Sequence, residues 1–369
     1  MIIKTELIKP ACSTILLAVD SNDLSAITET LELKAVGNNL QLNVTNREYY
    51  ARVNLALEEP ETFKATVNAN LFLKLISQTT SEFINLSVND KTLIVKGNGT
   101  YKLPLIYDGE NLLDLPEINI NNSTATFDID SDILSSILTF NTKGLCQGIT
   151  GKLVQKLYYV DENGCITFAK GACVNNFTLP QSIKVLLTPR LVKLFKLFKG
   201  DKVKFTLGYD SITNDIIQTK VKFETPNIEL TSILSCDDTL LNSVPVKPIR
   251  DRAMNTYPHS VVLSKDALLQ TLNRMMLFTN LKENVYGVFK FDKDALTISF
   301  KGEDTTETIA YANQSNVTEK YEATLDLVDL KSTLEGCTEQ FININFGDGQ
   351  AFVVARGNIY NVIPEVISE

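Results

Sequence analysis

Few residues of this chain could do chemistry. Of the 369 residues one is a histidine, His259, and none is a tryptophan. A single imidazole cannot build a histidine-rich metal site, and His259 follows Tyr257-Pro258, which reads as a turn leading into a strand. The six cysteines, Cys12, Cys146, Cys165, Cys173, Cys236 and Cys337, contain no C-x-x-C pair and fit no zinc spacing, so they read as small buried thiols of a reducing compartment. Glu58-Glu59 and Asp237-Asp238 are the tempting carboxylate pairs for hydrolysis. Neighbours on a strand point to opposite faces, however, and in loops such pairs are solvated. Gly97 and Gly99 lie between strand-like runs with no helix behind them, which is a hairpin turn and not a phosphate cradle. No nucleophile elbow, Walker loop or dinucleotide fingerprint is present. The residues argue against an enzyme, and no metal or cofactor is expected.

The elements that would carry a function are those of an ordinary packed protein. The length suggests two or three domains. A hydrophobic content of 44% is ample for packed cores, and no stretch approaches the ~20 apolar residues of a membrane span. The opening Met1-Ile2-Ile3-Lys4-Thr5-Glu6 lacks the order of a signal peptide, so the expected location is the cytoplasm of a cell, whether or not that cell is infected by a virus. The net charge of −9 means that any positive charge used for nucleic acid must be concentrated on one surface.

One unit repeats six times: an amphipathic helix followed by alternating, strand-like segments. The expected helices are Glu6 to Val19, Asn68 to Thr79, Ser131 to Thr142, Pro189 to Lys199, Lys265 to Asn280 and Leu327 to Gly336. Strands are expected behind each, for example at 29–36 and 39–57 after the first, and at 202–207, 217–224 and 227–234 after the fourth. Gly37-Asn38-Asn39, Asn89-Asp90-Lys91, Glu162-Asn163-Gly164 and Gly347-Asp348-Gly349 separate period-two runs as hairpin turns do. Paired, the six units give three domains, at residues 1–120, 121–248 and 249–369, with proline-marked linkers at Leu115-Pro116-Glu117 and Pro245-Val246-Lys247-Pro248. The fold class is α+β, each domain having two helices packed on one side of antiparallel strands.

The fourth helix concentrates positive charge. Pro189 suits its first turn, Thr188 its cap, and Gly200 can end it. At ~100° per residue Leu191, Leu194, Phe195, Leu197 and Phe198 share one face, while Arg190, Lys193, Lys196 and Lys199 fall opposite, with no acid among them. Leu268, Leu269, Leu272, Met275 and Met276 form a similar apolar stripe on the fifth helix, with Arg274 facing away. Lys9 beside Pro10, which is expected to shorten or kink the first helix, and Lys74, Lys143 and Lys152 add to the set. A basic helix face is usually a solvated surface. An acid-free one is out of character for an acidic chain, and equivalent helices of a repeat would present it to phosphates without reading bases.

With the repeat laid out, the chain resembles the bacterial DNA polymerase III beta-subunit sliding clamp from residue 1 to about 366. Glu6-Leu7-Ile8-Lys9-Pro10 looks like the family's opening helix. Leu40-Gln41-Leu42-Asn43-Val44-Thr45-Asn46 with Ala51-Arg52-Val53 looks like its first strand pair. Asp114-Leu115-Pro116 sits where the family's first domain ends, Leu263-Ser264-Lys265 through Asn280 is similar to the opening helix of the third, and Tyr360-Asn361-Val362-Ile363-Pro364 resembles the C-terminal motif. The resemblance implies a head-to-tail homodimeric ring with helices inside, which encircles double-stranded DNA and tethers a DNA polymerase. The cations facing the DNA would be Lys9, Lys74, Lys143, Lys152, Arg190, Lys193, Lys196, Lys199, Arg274 and Lys331. It also implies a pocket that takes peptide motifs of the polymerase and the clamp loader, formed by Leu153, Gly171, Ala172, Cys173, Val174, Leu241, Val244, Pro245, Val362, Ile363 and Pro364. There the family's Thr-Asp-Gly-x-Arg-Leu stretch reads Ala169-Lys170-Gly171-Ala172-Cys173-Val174, without its Asp and Arg. That departure, with the Asn, Lys and Ile usage, points to a different or co-evolved peptide and to a phage-encoded clamp. The alternative is a repeat-built structural ring or scaffold without the DNA-facing charge.

Overall fold

The computed structural model describes residues 1–20, 26–146, 151–200, 202–209, 218–234, 237–279, 285–300, 305–313 and 315–366. Ile217, Cys236 and Asn280, to which some of the expectations above extend, lie outside them. Among the described residues the α-helices are α1 (Thr5–Leu16), α2 (Ala69–Gln78), α3 (Ser131–Phe140), α4 (Pro189–Lys193), α5 (Asp238–Asn242), α6 (Val246–Ala253), α7 (Lys265–Met275) and α8 (Leu327–Glu335). A helix begins at or within one residue of each of the six expected starts, but the fourth stays α-helical only over Pro189–Lys193 and not to Lys199. Where the side chains supply caps, they define the starts: Asn68, Ser264 and Asp326 accept from backbone N–H groups of α2, α7 and α8. α1 runs through Pro10 instead of stopping there, and ends at Leu16. α5 and α6 replace the expected linker. Pro248 does not prevent α6, because it stands in the first turn, where the backbone N–H has no helical partner to lose.

The chain forms two compact units, and every strand pairing in them is antiparallel. The first comprises Met1–Leu134 and Arg190–Ser235. It holds a four-stranded sheet in the order Ile2–Lys4, Phe83–Asn89, Thr92–Lys96, Thr100–Pro104. Its second sheet has six strands, in the order Thr30–Thr45, Tyr49–Asn68, Ile228–Ile233, Thr219–Glu224, Lys202–Tyr209, Asn122–Asp130. α1 and α2 pack on one another, burying Ile8, Cys12 and Ile15 from one helix and Phe72, Leu73 and Ile76 from the other. This is the i, i+4, i+7 stripe of an amphipathic helix.

One turn was misread. Gly37-Asn38-Asn39 does not join two strands; it is a bulge inside Thr30–Thr45, where Gly37 has φ +60. The reversal comes later, at Asn46-Arg47-Glu48. There the Asn46 side chain accepts from the Glu48 and Tyr49 amides and Arg47 takes φ +72. The other three expected turns join paired strands, with Asp90 at φ +50 in the first of them.

The second unit comprises Ser135–Pro189 and Cys236–Glu369. Its eight-stranded sheet has the order Lys184–Leu187, Tyr158–Asp161, Gly164–Phe168, Ala172–Asn176, Ile359–Pro364, Ala351–Arg356, Phe341–Phe346, His259–Ser264. A four-stranded sheet follows the order Thr306–Ala310, Ala295–Ser299, Tyr286–Phe291, Tyr321–Asp326. α7 and α8 bury Leu268, Leu272, Met275, Leu327, Leu330 and Leu334 against Phe289, Phe291, Phe346 and Phe352. The Phe291 and Phe346 rings lie 4.1 Å apart between centroids. His259 is buried in this unit, its ring against Tyr321 and Phe346.

Candidate nucleic-acid and partner sites

The basic segment 189–199 is not one α-helix. After α4 it tightens into a 3-10 helix at Leu194–Leu197, and Gly200 with φ +76 follows. Arg190 and Lys193 lie in the α-helical part, Lys196 in the 3-10 turn and Lys199 just after it. All four are exposed, while Leu191, Val192, Leu194, Phe195, Leu197 and Phe198 between them are buried. Phe195 meets Phe223 edge to face at 5.0 Å, so the apolar side is locked to the six-stranded sheet.

The ten proposed cations divide by their partners. Arg190 is committed: its Nε lies 3.4 Å from Asp20 and its Nη1 donates to Glu48 at 3.1 Å. Arg274 is held by Glu307 through two donors at 2.9 and 2.5 Å. Lys143 and Lys331 are brought together on Glu335, at 3.9 and 3.8 Å. Lys9, Lys74, Lys152, Lys193, Lys196 and Lys199 have no carboxylate within ion-pair distance among the described residues, so their charge is available to an external anion.

A cavity of about 300 Å³ lies wholly in the second unit. Its apolar walls are α6, through Pro245, Pro248 and Ile249, and the paired strands carrying Phe168, Ala172, Ala351, Val362 and Pro364. The position of α6 is fixed by a fork of the half-buried Arg250 on the buried Asp161, with hydrogen bonds of 2.8 and 2.6 Å. Two cations stand at the lining. Arg252 donates to Asp348 at 2.8 Å and to Gln350, and Lys170 lies 3.3 Å from Asp326, the carboxylate that caps α8. Burial draws the Lys170 ammonium down and Asp326 more than offsets this, leaving it above the ordinary lysine range. Gly171 is required by close approach, since a Cβ there would sit 2.4 Å from the Val362 carbonyl oxygen.

Of the eleven residues assigned to a peptide pocket, Gly171, Ala172, Pro245, Val362 and Pro364 line this cavity. Val174, Leu241 and Val244 belong to the apolar cluster beneath it. Cys173 and Ile363 do not line it, because side chains alternate across a strand and these two point to the other face, where Ile363 joins the core of α7 and α8. Leu153 is 57% exposed and lies outside the lining. The assigned set missed Phe168, Ala169, Lys170, Pro248, Ile249, Arg252, Gln350 and Ala351. The signal was there for part of it: Val246, Ile249 and Ala253 hold the i, i+3, i+7 spacing of a buried helix face, hidden by two prolines.

Burial suppresses the thiolate form of several of the cysteines. Burial pushes Cys12 and Cys173 up to about 12 and Cys165 well above the usual thiol range. Among the described residues no cluster of histidine, cysteine and carboxylate could hold a metal, and no helix is long and apolar enough to cross a membrane.

Comparison with solved structures decides the fold. DNA polymerase III subunit beta from Pseudomonas aeruginosa superposes with a TM-score of 0.82 at 14% identity, covering 100% of this chain and 99% of the other. The chain has the bacterial sliding-clamp fold. The DNA polymerase sliding clamp from Bacillus subtilis gives 0.79 at 14% identity, and DNA polymerase III subunit beta from Borrelia burgdorferi, in complex with a natural product, gives 0.80 at 14%, each with the same coverage. No family model matches the sequence, and no curated protein matches it either. The sliding-clamp fold is therefore reached here by a sequence that shares about one residue in seven with these proteins.

Proposed function

We propose that the chain is a DNA sliding clamp: a non-catalytic protein of three domains, at 1–120, 121–248 and 249–369, that encircles duplex DNA in the cytoplasm and tethers a polymerase to it. The observation that carries this reading is the full-length agreement with bacterial clamps, with no part of the chain left over. Two features support it. The row Lys193, Lys196 and Lys199 is exposed and has no carboxylate within ion-pair distance among the described residues, so it offers charge for phosphates. The cavity beside α6 has the apolar walls and few polar groups that suit a short partner peptide, from the polymerase or from a clamp loader.

Closure requires a second copy. Each four-stranded sheet ends on an open edge, at Thr100–Pro104 in one unit and at Thr306–Ala310 in the other. Leu277 and Phe278, which follow α7, are 80% and 68% exposed. Open edges and bare apolar side chains are liabilities that a head-to-tail dimer removes. Negative-stain imaging of the purified protein, with its mass in solution, tests the reading. Rings with a central hole and a dimer mass are expected. Compact monomers that also fail to extend polymerase product length on primed circular DNA would reject it.

A further inference from the structure

The first unit carries a second cavity, of about 270 Å³, far in sequence from the partner pocket. Its apolar lining is Ile2, Leu7, Leu57 and Phe83, of which Ile2 is 66% and Phe83 44% exposed. Two strands border it, and both leave backbone groups without a ladder partner on this side. Along Ile2–Lys4, Met1 and Thr5 make the hydrogen bonds to the neighbouring strand, at Leu86 and Glu82. By antiparallel alternation the N–H and C=O of Ile2, and the N–H of Lys4, then face the open edge. Opposite, the pairing of Tyr49–Asn68 jumps from Ala56 to Glu61, so residues 57–60 bulge out with no strand opposed to them.

The rim is acidic. Glu58, Glu59 and Glu61 line the cavity, and Glu6 and Glu82 stand close enough to act on Lys4. The cations present are already committed, Lys4 to Glu58 at 2.7 Å and the terminal amine of Met1 to Glu61 at 3.7 Å. Glu59 is exposed and has no cation among the described residues. Such a rim repels nucleic acid and anionic lipid, and it attracts a cationic chain.

We propose that this slot is a docking site for an extended segment of a partner protein in which an apolar side chain is flanked by lysine or arginine. The segment adds as a strand to the free edge of Ile2–Lys4, its apolar residue covers Ile2 and Phe83, and its cations meet Glu59 and the neighbouring carboxylates. The site shares no residue with the α6 cavity.

The test uses the full-length protein and a fluorescein-labelled peptide of alternating valine and lysine, with the valine–glutamate peptide as control. Anisotropy gives the affinity and amide hydrogen exchange gives the place. Binding of the lysine peptide with new protection confined to residues 1–7 and 54–62 is expected, weakened about tenfold or more by Glu59→Lys and by Ile2→Asp. Both substitutions alter exposed side chains, and circular dichroism checks that each variant is folded. The proposal is overturned if the glutamate peptide binds equally well or if folded Glu59→Lys keeps full affinity. It is also overturned if protection appears at residues 168–172 and 245–252 instead, or if protein alone protects the slot as its concentration rises, which would make the occupant a second copy.

Discussion

Replacing Lys193 and Lys196 by alanine gives the sharpest measure of the DNA reading. Both side chains are exposed, both lack a carboxylate partner among the described residues, and the buried residues between them hold the segment to its sheet. The double variant should keep its stability to within about 0.5 kcal/mol, as substitutions at exposed, unpaired positions do. Its DNA affinity should change in a defined way. Each phosphate neutralised on a duplex contributes about 0.9 to the slope of log affinity against log salt, so two lysines lost per chain make the slope shallower by up to about 2, and by about 4 in a dimer. Between 50 and 200 mM salt that is about a three- to fourfold effect for every contact. Fluorescence anisotropy of a labelled duplex across a salt series measures the slope, and urea unfolding checks the fold. Arg190→Ala is the internal contrast. Its guanidinium is committed to Asp20 and Glu48, so its loss should leave the slope nearly unchanged. A double lysine variant that is folded yet keeps the wild-type slope would refute the reasoning, as would an Arg190 variant that lowers it more.

Three further outcomes follow from the geometry. Asp161→Asn breaks the buried fork on Arg250 and strands a guanidinium, which should cost about 3–5 kcal/mol in denaturant unfolding and loosen α6. Gly171→Ala sets a Cβ against the Val362 carbonyl, so it should lower stability by about 1–3 kcal/mol and weaken any peptide bound in the adjoining cavity, measured by unfolding and by peptide titration. The hydrogen bond from Arg274 holds the Glu307 carboxyl below its ordinary value of 4.5 against the opposing effect of burial. Its stabilisation is therefore complete above pH 4.5 and lost as pH falls through the depressed value, and Glu307→Gln should flatten that part of a melting-temperature profile.

Much of the architecture could be read from the chain because it depends on local signals. The helices at Asn68, Ser264 and Asp326 begin at capping side chains, and their apolar stripes have the helical period. What failed were features fixed by opposing strands. Gly37-Asn38-Asn39 has the composition of a turn, and only the continued pairing of Thr30–Thr45 with Tyr49–Asn68 makes it a bulge. The cavity was half legible. Gly171, Val362 and Pro364 came from a family motif, whereas Arg252, Gln350 and Phe168 reach it through α6 and through strand pairing between residues far apart in sequence. The tightening of the basic segment after Lys193 was not legible, since i and i+3 are neighbours in an α-helix as well as in a 3-10 helix.

The eight-stranded sheet bears on how the protein is made. Its fifth strand in spatial order, Ile359–Pro364, is the last in the chain, and it pairs with Ala172–Asn176 across a separation of 190 positions from Ala172 to Val362. At about 5–20 residues per second, a ribosome exposes the earlier strand for roughly 10–40 s before its neighbour exists. During that interval the strand Ala172–Asn176, with Val174 in it, stands as an unfinished edge, the kind of surface that captures other nascent chains. Synthesis speed and chaperone supply, and not intrinsic stability, should then set how much of this protein a cell recovers in native form.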